Sequence, residues 1–303
     1  MIEEAVMHLL RNNSDLHEPY TMLRTYVERD MDTLPEKFWE NLKALKAAAV
    51  SEKNQTFAKT IWCLETAGKV QDYFITAFTL CRQDNFYGGW CYFERCEIQL
   101  ASLDRHFREE DSEFGLNFIR EHYPRFQFLF PYRLFISPGF IVKEARCSIC
   151  DEVIKLRGGC GHIKGEIYDG ELCVWKITGA DFLEVSLVEN PVQKYSVVFP
   201  QDGSYNYALI KYVVDGLRSP WHAWDYDRIM IETDEPLYPG VGQNEQCPCG
   251  SGNEFRLCCI NKRKFREHYQ VFFSVPPPKE LPNYVPTADY RIPNKRYLPN
   301  RNK

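Results

Sequence analysis

Apolar residues recur at helical spacing through the first 125 positions. Thr33-Leu34-Pro35-Glu36 carries the marks of a helix start: a hydroxyl cap, proline in the first turn, and glutamate three residues after the cap. Phe38, Leu42, Leu45 and Ala48 then fall along one face. Ser51 reads as the cap of a second helix to about residue 81, with Phe57, Ile61, Leu64, Phe74 and Phe78 turned inward. The Gly88-Gly89 pair reads as a break. Helices over about 91–107 and 112–122 follow, carrying Ile98, Leu103, Phe107, Phe118 and Ile119.

From Tyr123 the period changes. Residues 126–142 are aromatic and β-branched and are broken by Pro131, Pro138 and Gly139, which suits short strands and turns. Strands are predicted at 172–177, 182–188 and 195–199, and a helix at 205–217. Trp221-His222-Ala223-Trp224-Asp225-Tyr226 is an aromatic segment expected to pack between domains, with His222 a packed, polar-tipped residue. Pro236, Pro239, Gly240 and Gly242 mark a linker. The fold class is therefore α+β. A helical domain at 1–122 precedes a small β domain at 123–200 and a helix and linker at 201–242. A compact cysteine-rich knuckle at 243–265 and a proline-rich tail at 266–303 complete the chain.

Composition narrows the picture. A chain of 303 residues has material for two or three domains, and 44% hydrophobic with 15% aromatic residues excludes a mostly disordered protein. Net charge is −5, but residues 261–303 hold ten Lys/Arg against three Asp/Glu, a net of +7 that leaves −12 on residues 1–260. An anionic partner would be met by this basic end. The N-terminus is acidic, without the basic and apolar regions of a secretory signal, and no window approaches the ~20 apolar residues of a membrane span. A cytoplasmic location is expected, where clustered cysteines serve as metal ligands more often than as disulfides.

The twelve cysteines divide by spacing. Cys63, Cys81, Cys91 and Cys96 fit no zinc pattern and lie on apolar helical faces as small buried hydrophobes. His8, His17 and His106 fall among charged residues and read as solvated. Cys147-Ser148-Ile149-Cys150, followed by Cys160-Gly161-His162, offers a Cys₃His set for zinc. Cys173 is an alternative fourth ligand, and His162 is preferred because it forms a close pair with Cys160. A redox reading of Cys147 and Cys150 lacks a strand–helix context. Nearby Asp151, Glu152 and Glu166 keep a zinc-dependent hydrolase as an alternative. Downstream, Cys247-Pro248-Cys249 and Cys258-Cys259 form a second four-thiol set, with Gly250 and Gly252 supplying the reversal between them. Four thiolates around one zinc leave a charge near −2, which Arg256, Lys262, Arg263, Lys264 and Arg266 would offset. Two zinc ions per chain are expected.

Residues 243–259, Gln-Asn-Glu-Gln-Cys-Pro-Cys-Gly-Ser-Gly-Asn-Glu-Phe-Arg-Leu-Cys-Cys, resemble the SEC-C motif family, with Asn253, Glu254 and Leu257 where the family is usually richer in lysine. The resemblance implies zinc binding and docking to protein, ribosome or nucleic-acid partners, and no translocase activity. No phosphate-binding Gly-Lys-Thr loop occurs. Residues 135–195 resemble more weakly a β unit of phage prohead proteases that carries a Cys/His insertion. That resemblance implies Ser137 as nucleophile and Glu184 as supporting acid, but Pro138 interrupts the strand and no histidine base stands at the family's spacing.

Beyond Phe272 the prolines at 276–278, 282, 286, 293 and 299 favour extended chain, and Tyr284, Tyr290 and Tyr297 alternate with basic residues. This suits single-stranded nucleic acid and equally a tail lying on the acidic body. The leading expectation is a non-enzymatic zinc-binding adaptor that docks a protein or nucleic-acid partner. The alternative is a hydrolase, using Ser137 or the upstream metal.

Overall fold

The computed structural model of the chain describes residues 9, 13–107, 113–155, 157–201 and 205–281. The tyrosines and basic residues of 282–303, His8 and the expected helix start at Ser112 lie outside them. The described residues group into two compact units. One runs to Tyr205 and includes Ser219–Trp221, and the other comprises Asn206–Arg218 and the chain from His222 onward.

The first unit begins with a 3₁₀ turn at Ser14–Leu16 and five helices: α1 (His17–Arg24), α2 (Glu36–Ser51), α3 (Gln55–Arg82), α4 (Phe86–Leu103) and α5 (Leu116–Phe128). Helix α2 starts at Glu36, two residues later than a Thr33 cap would place it: Pro35 stands extended (ψ 155°) at the cap position rather than in the first turn, and no side chain caps the helix. Ser51 is the last residue of α2; Asn54 caps α3 by accepting the Phe57 N–H at 3.1 Å. Gly88 and Gly89 do not break a helix. They lie in the first turn of α4, where the Asn85 side chain accepts the Gly88 N–H at 3.0 Å. A Cβ on Gly89 would stand 2.3 Å from Cys81 Sγ and 2.9 Å from the Ala77 carbonyl. The glycine therefore permits close approach of α4 to α3. Helix α5 follows Gly115 (φ +68°) and runs six residues past the expected end at residue 122, to Phe128.

Phe74, wholly buried on α3, lies at the centre of this core. Rings of Phe93, Phe118, Phe126 and Trp221 surround it at 5.5–6.3 Å. Cys63, Cys81 and Cys96 are buried, as their apolar surroundings in the sequence suggest, and burial pushes the Cys63 thiol up to about 12. Phe57, expected inward, is only half-buried, and Ile98 is exposed.

The same unit carries two long antiparallel strands, β1 (Phe135–Cys147) and β4 (Trp175–Val188), and between them a small hairpin of β2 (Ile167–Tyr168) and β3 (Glu171–Leu172). Cross-strand partners share a face and successive residues alternate. Ile136 faces Leu187, Phe140 faces Phe182, and Pro138, expected to interrupt the strand, faces Val185 within it. On the other side Ser137 faces Ser186 and Gly139 faces Glu184, while Lys143 pairs with Asp181 at 2.9 Å. From Ile136 to Phe140 one face of the ribbon is thus apolar, while the other carries Ser137, Ser186, Glu184 and Asp181, with Ile141 opposite Asp181. The expected strand at 195–199 contributes only one bridge, Val197 to Phe135, ahead of Pro200, whose ring removes a donor N–H.

In the second unit α6 (Ala208–Gly216) lies within the helix expected at 205–217. Residues read as linker form β5 (Trp224–Pro236), which pairs with β6 (Arg263–Phe273) over most of its length. Among the described residues no helix is long and apolar enough to cross a membrane.

Candidate metal centres

Each long ribbon is joined at one end by a cysteine cluster. Cys147 is the last residue of β1 and is buried. The chain then turns sharply: the Asp151 N–H donates to the Cys147 carbonyl at 3.0 Å and the Cys147 N–H to the Glu152 carbonyl at 2.9 Å, with Asp151 at φ +60°. This turn places Cys150 beside Cys147. Gly158 (φ +71°) and Gly161 (φ +83°) bend the second half back, bringing in Cys160 and His162. The Sγ atoms of Cys147, Cys150 and Cys160 and a ring nitrogen of His162 all lie within 4.8 Å of one another, with Cys147 Sγ 3.7 Å from His162 Nδ1. Cys173 is fully buried 3.9 Å from Cys147 Sγ, just outside that group of four.

The helices hold this loop from behind. His106 is buried, contrary to its solvated reading, and its Nε2 lies 2.7 Å from the Gly165 carbonyl. A carbonyl only accepts, so Nε2 carries the proton. Burial holds the His106 pKa below its ordinary value. Lys46 donates to Glu65 at 2.6 Å, Glu171 at 3.0 Å and the Gly170 carbonyl at 3.3 Å. Gly170 (φ +71°) packs on Lys46 and Ala58 too closely for a side chain. The contacts from the helices to this loop left no signal in the sequence, because their partners lie 59 to 125 residues apart.

The second cluster closes the β5–β6 ribbon. The Leu237 N–H donates to the Lys262 carbonyl at 2.9 Å, and the Cys247 N–H to Asn253 at 2.8 Å. Gly250 (φ +78°) and Gly252 (φ +77°) make the reversal, with no atom within 4 Å of where a Cβ would stand. A 3₁₀ turn at Phe255–Leu257 presents the adjacent thiols, whose N–H groups both donate to the Phe255 carbonyl at 3.1 Å. Phe255, Cys247 and Cys259 form a small buried core with Leu237, Tyr238, Val241 and Ile260. The four Sγ atoms converge within 4.8 Å, Cys249 to Cys258 at 3.5 Å and Cys258 to Cys259 at 3.6 Å.

These separations fit a tetrahedral ion. Thiolates held about 2.3 Å from zinc stand about 3.8 Å apart, whereas a disulfide would bring them to about 2.05 Å. All these cysteines are free. One thiol in each cluster ionises readily. Burial opposes ionisation of Cys147, but N–H groups of Cys150 and Ile149 outweigh it and bring its pKa to about 6. The Ser251 hydroxyl and Cys247 do the same for Cys249, also to about 6. Burial pushes Cys173 up to about 11 and Cys259 up to about 12, and neighbouring thiols add to it. A divalent cation removes the repulsion from neighbouring thiolates that helps to raise Cys173 and Cys259. Both groups could thus hold a metal ion.

Ser137 lies on the polar face of the first ribbon opposite Ser186, and Glu184 accepts the Ser186 hydroxyl at 3.2 Å. His122 is buried against Phe118, with Nδ1 2.8 Å from the Phe118 carbonyl and Nε2 3.5 Å from Arg125. Asp151 pairs with Arg146 at 3.4 Å. No solved structure matches the chain. The family model of the SEC-C motif matches residues 244–261, so the four-thiol cluster that closes the second ribbon fits a zinc-binding motif.

Proposed function

We propose that this protein is a cytoplasmic, non-enzymatic zinc-binding adaptor that docks a protein or nucleic-acid partner. Cys147, Cys150, Cys160 and His162 hold one zinc, and Cys247, Cys249, Cys258 and Cys259 hold the other. The observation that carries this reading is the convergence of four ligand atoms in each cluster at spacings suited to tetrahedral zinc. Four protein ligands fill the shell, which is the pattern of structural rather than catalytic zinc. The docking surface begins at Lys262 and Arg263, both exposed beside the four thiolates. By sequence, residues 261–303 add to the charge, with ten Lys/Arg against three Asp/Glu. Phosphate oxygens or carboxylates suit such a surface.

The test has two parts. Elemental analysis should find two zinc ions per chain, with one lost in Cys150→Ser and the other in the double variant Cys258→Ser/Cys259→Ser; one ion or none in the wild type refutes the metal framework. Affinity isolation from the native cell, with and without nuclease, should recover partners that the double variant and the charge reversal Lys262→Glu/Arg263→Glu/Lys264→Glu both lose. Partners retained by both would refute docking through the knuckle.

A further inference from the structure

Among the described residues nothing covers the apolar face of the β1–β4 ribbon. Phe140, Phe182, Val185 and Leu187 are 53–65% exposed on that one face, and Ile136 and Val142 are 41% and 50% exposed. Phe140 and Phe182 pack edge to face across the strands at 5.8 Å, so the surface is ordered rather than a scatter of single residues. Taking about 200 Å² for a large apolar side chain, these six leave roughly 600 Å² open to water. That is the upper end of the ~300–600 Å² patch of an ordinary monomer. It also matches what a stable dimer needs: about 800 Å² per partner, of which about 65% is apolar in homodimers.

We propose that this face packs on the same face of a second copy of the chain, making a two-fold dimer. Three observations favour a second copy over a different protein. An isologous contact must be self-complementary, and this face pairs apolar with apolar residues from Ile136–Leu187 to Phe140–Phe182 without a charge. The charges near its far end are already neutralised on the opposite side, Lys143 with Asp181. Third, a two-stranded ribbon is at best marginally stable alone, so its cover must be present whenever the chain folds. Another copy always is. The proposal rests on the ribbon's faces and holds whichever partner the second zinc cluster takes.

Sedimentation equilibrium of the zinc-loaded full chain tests it. The wild type should sediment as a dimer at micromolar concentration. The variant Phe182→Glu/Leu187→Glu should dissociate at least ~100-fold more readily, because two charges then meet two of their own kind in a desolvated face, while both zinc ions remain. Ser186→Lys, on the opposite face, should stay dimeric. Should the glutamates unfold the chain, Phe182→Ala/Leu187→Ala is read in the same way. A monomeric wild type overturns the proposal, including one that binds a different protein through this face. So does a dimer that survives both double variants or is lost equally in Ser186→Lys. Zinc content, measured on the same samples, separates this outcome from failure of the metal framework.

Discussion

Replacing His106 tests how the helical body governs the upstream metal loop. His106 is 7% exposed and donates from Nε2 to the Gly165 carbonyl at 2.7 Å, while the Gly165 N–H reaches the Cys173 carbonyl at 2.8 Å. Gly165 is itself buried. His106→Leu keeps most of the volume but removes the donor, leaving a buried carbonyl without its partner at a cost of about 1–3 kcal/mol. The loop from His162 to Cys173 must close before its ligands converge, so that cost is transferred to metal binding. At about 1.4 kcal/mol per tenfold change, a loss of 1–2 kcal/mol weakens the upstream site by roughly 5- to 30-fold. Competition with a chromophoric chelator would read both sites in one titration. The Cys247–Cys259 cluster has its own small core and serves as the internal control. Equal weakening of both sites, or wild-type affinity upstream, would refute the reasoning.

Further predictions follow from other contacts. Burial lowers the folded-state pKa of His106 below its unfolded value of 6.5. The native state therefore binds fewer protons there, and the contribution is full above about pH 6.5 and lost as pH falls toward the folded pKa. Unfolding free energy of wild type minus that of His106→Gln, measured between pH 5 and pH 8 where this histidine titrates, should show that rise with pH; a flat difference counts against the burial. Gly89→Ala should destabilise by about 1–3 kcal/mol through the clash with Cys81 Sγ and the Ala77 carbonyl. Helix propensity alone would instead predict a gain of about 0.5–1 kcal/mol, so the sign of the shift in the urea midpoint decides. Lys46→Met should cost about 3–5 kcal/mol because Glu65, with 12% of its side chain exposed, keeps a charge without its partner; a cost below 1 kcal/mol in chemical denaturation would show that Glu65 finds another partner.

What was legible in the sequence depended on how local the cause is. The clustered cysteines and His162 come in pairs one to three residues apart with glycines between them, so their capacity to hold a metal was visible before any fold was known. The apolar periodicity of 36–82 located two helices for the same reason. The second ribbon was hidden because Asp225, Asp227, Arg228, Glu232, Thr233, Asp234 and Glu235 make β5 look like a polar linker; its pairing with 263–273 is set across the knuckle, beyond the reach of local propensity. Gly88-Gly89 misled because glycine breaks isolated helices, whereas here it is the close approach to Cys81 that requires Gly89. His106 sits between Arg105 and Phe107, and only the return of residue 165 buries it.

The two cysteine clusters also share a structural task that their sequences conceal. Antiparallel ribbons usually take their register from a short turn. Here the connections span residues 148–174 and 237–262, far longer than the ~15 residues beyond which an unstructured loop is uncommon. Loop entropy is a minor obstacle, because each doubling of length adds only about 0.6 kcal/mol. The missing element is geometric: a long loop accepts several registers. Convergence of Cys147 with Cys150, Cys160 and His162 pins the chain where Cys147 faces Trp175, and the second cluster pins it where Pro236 faces Arg263. A one-residue slip of β1 would turn Ile136 and Phe140 to the side of Glu184 and Asp181 and destroy the separation of faces. If each ion sets a register rather than supplying stability alone, chelation of the upstream zinc should dissolve the dimer before it unfolds the helices. Helical circular dichroism retained while the mass halves would carry the argument; simultaneous loss of both would refute it.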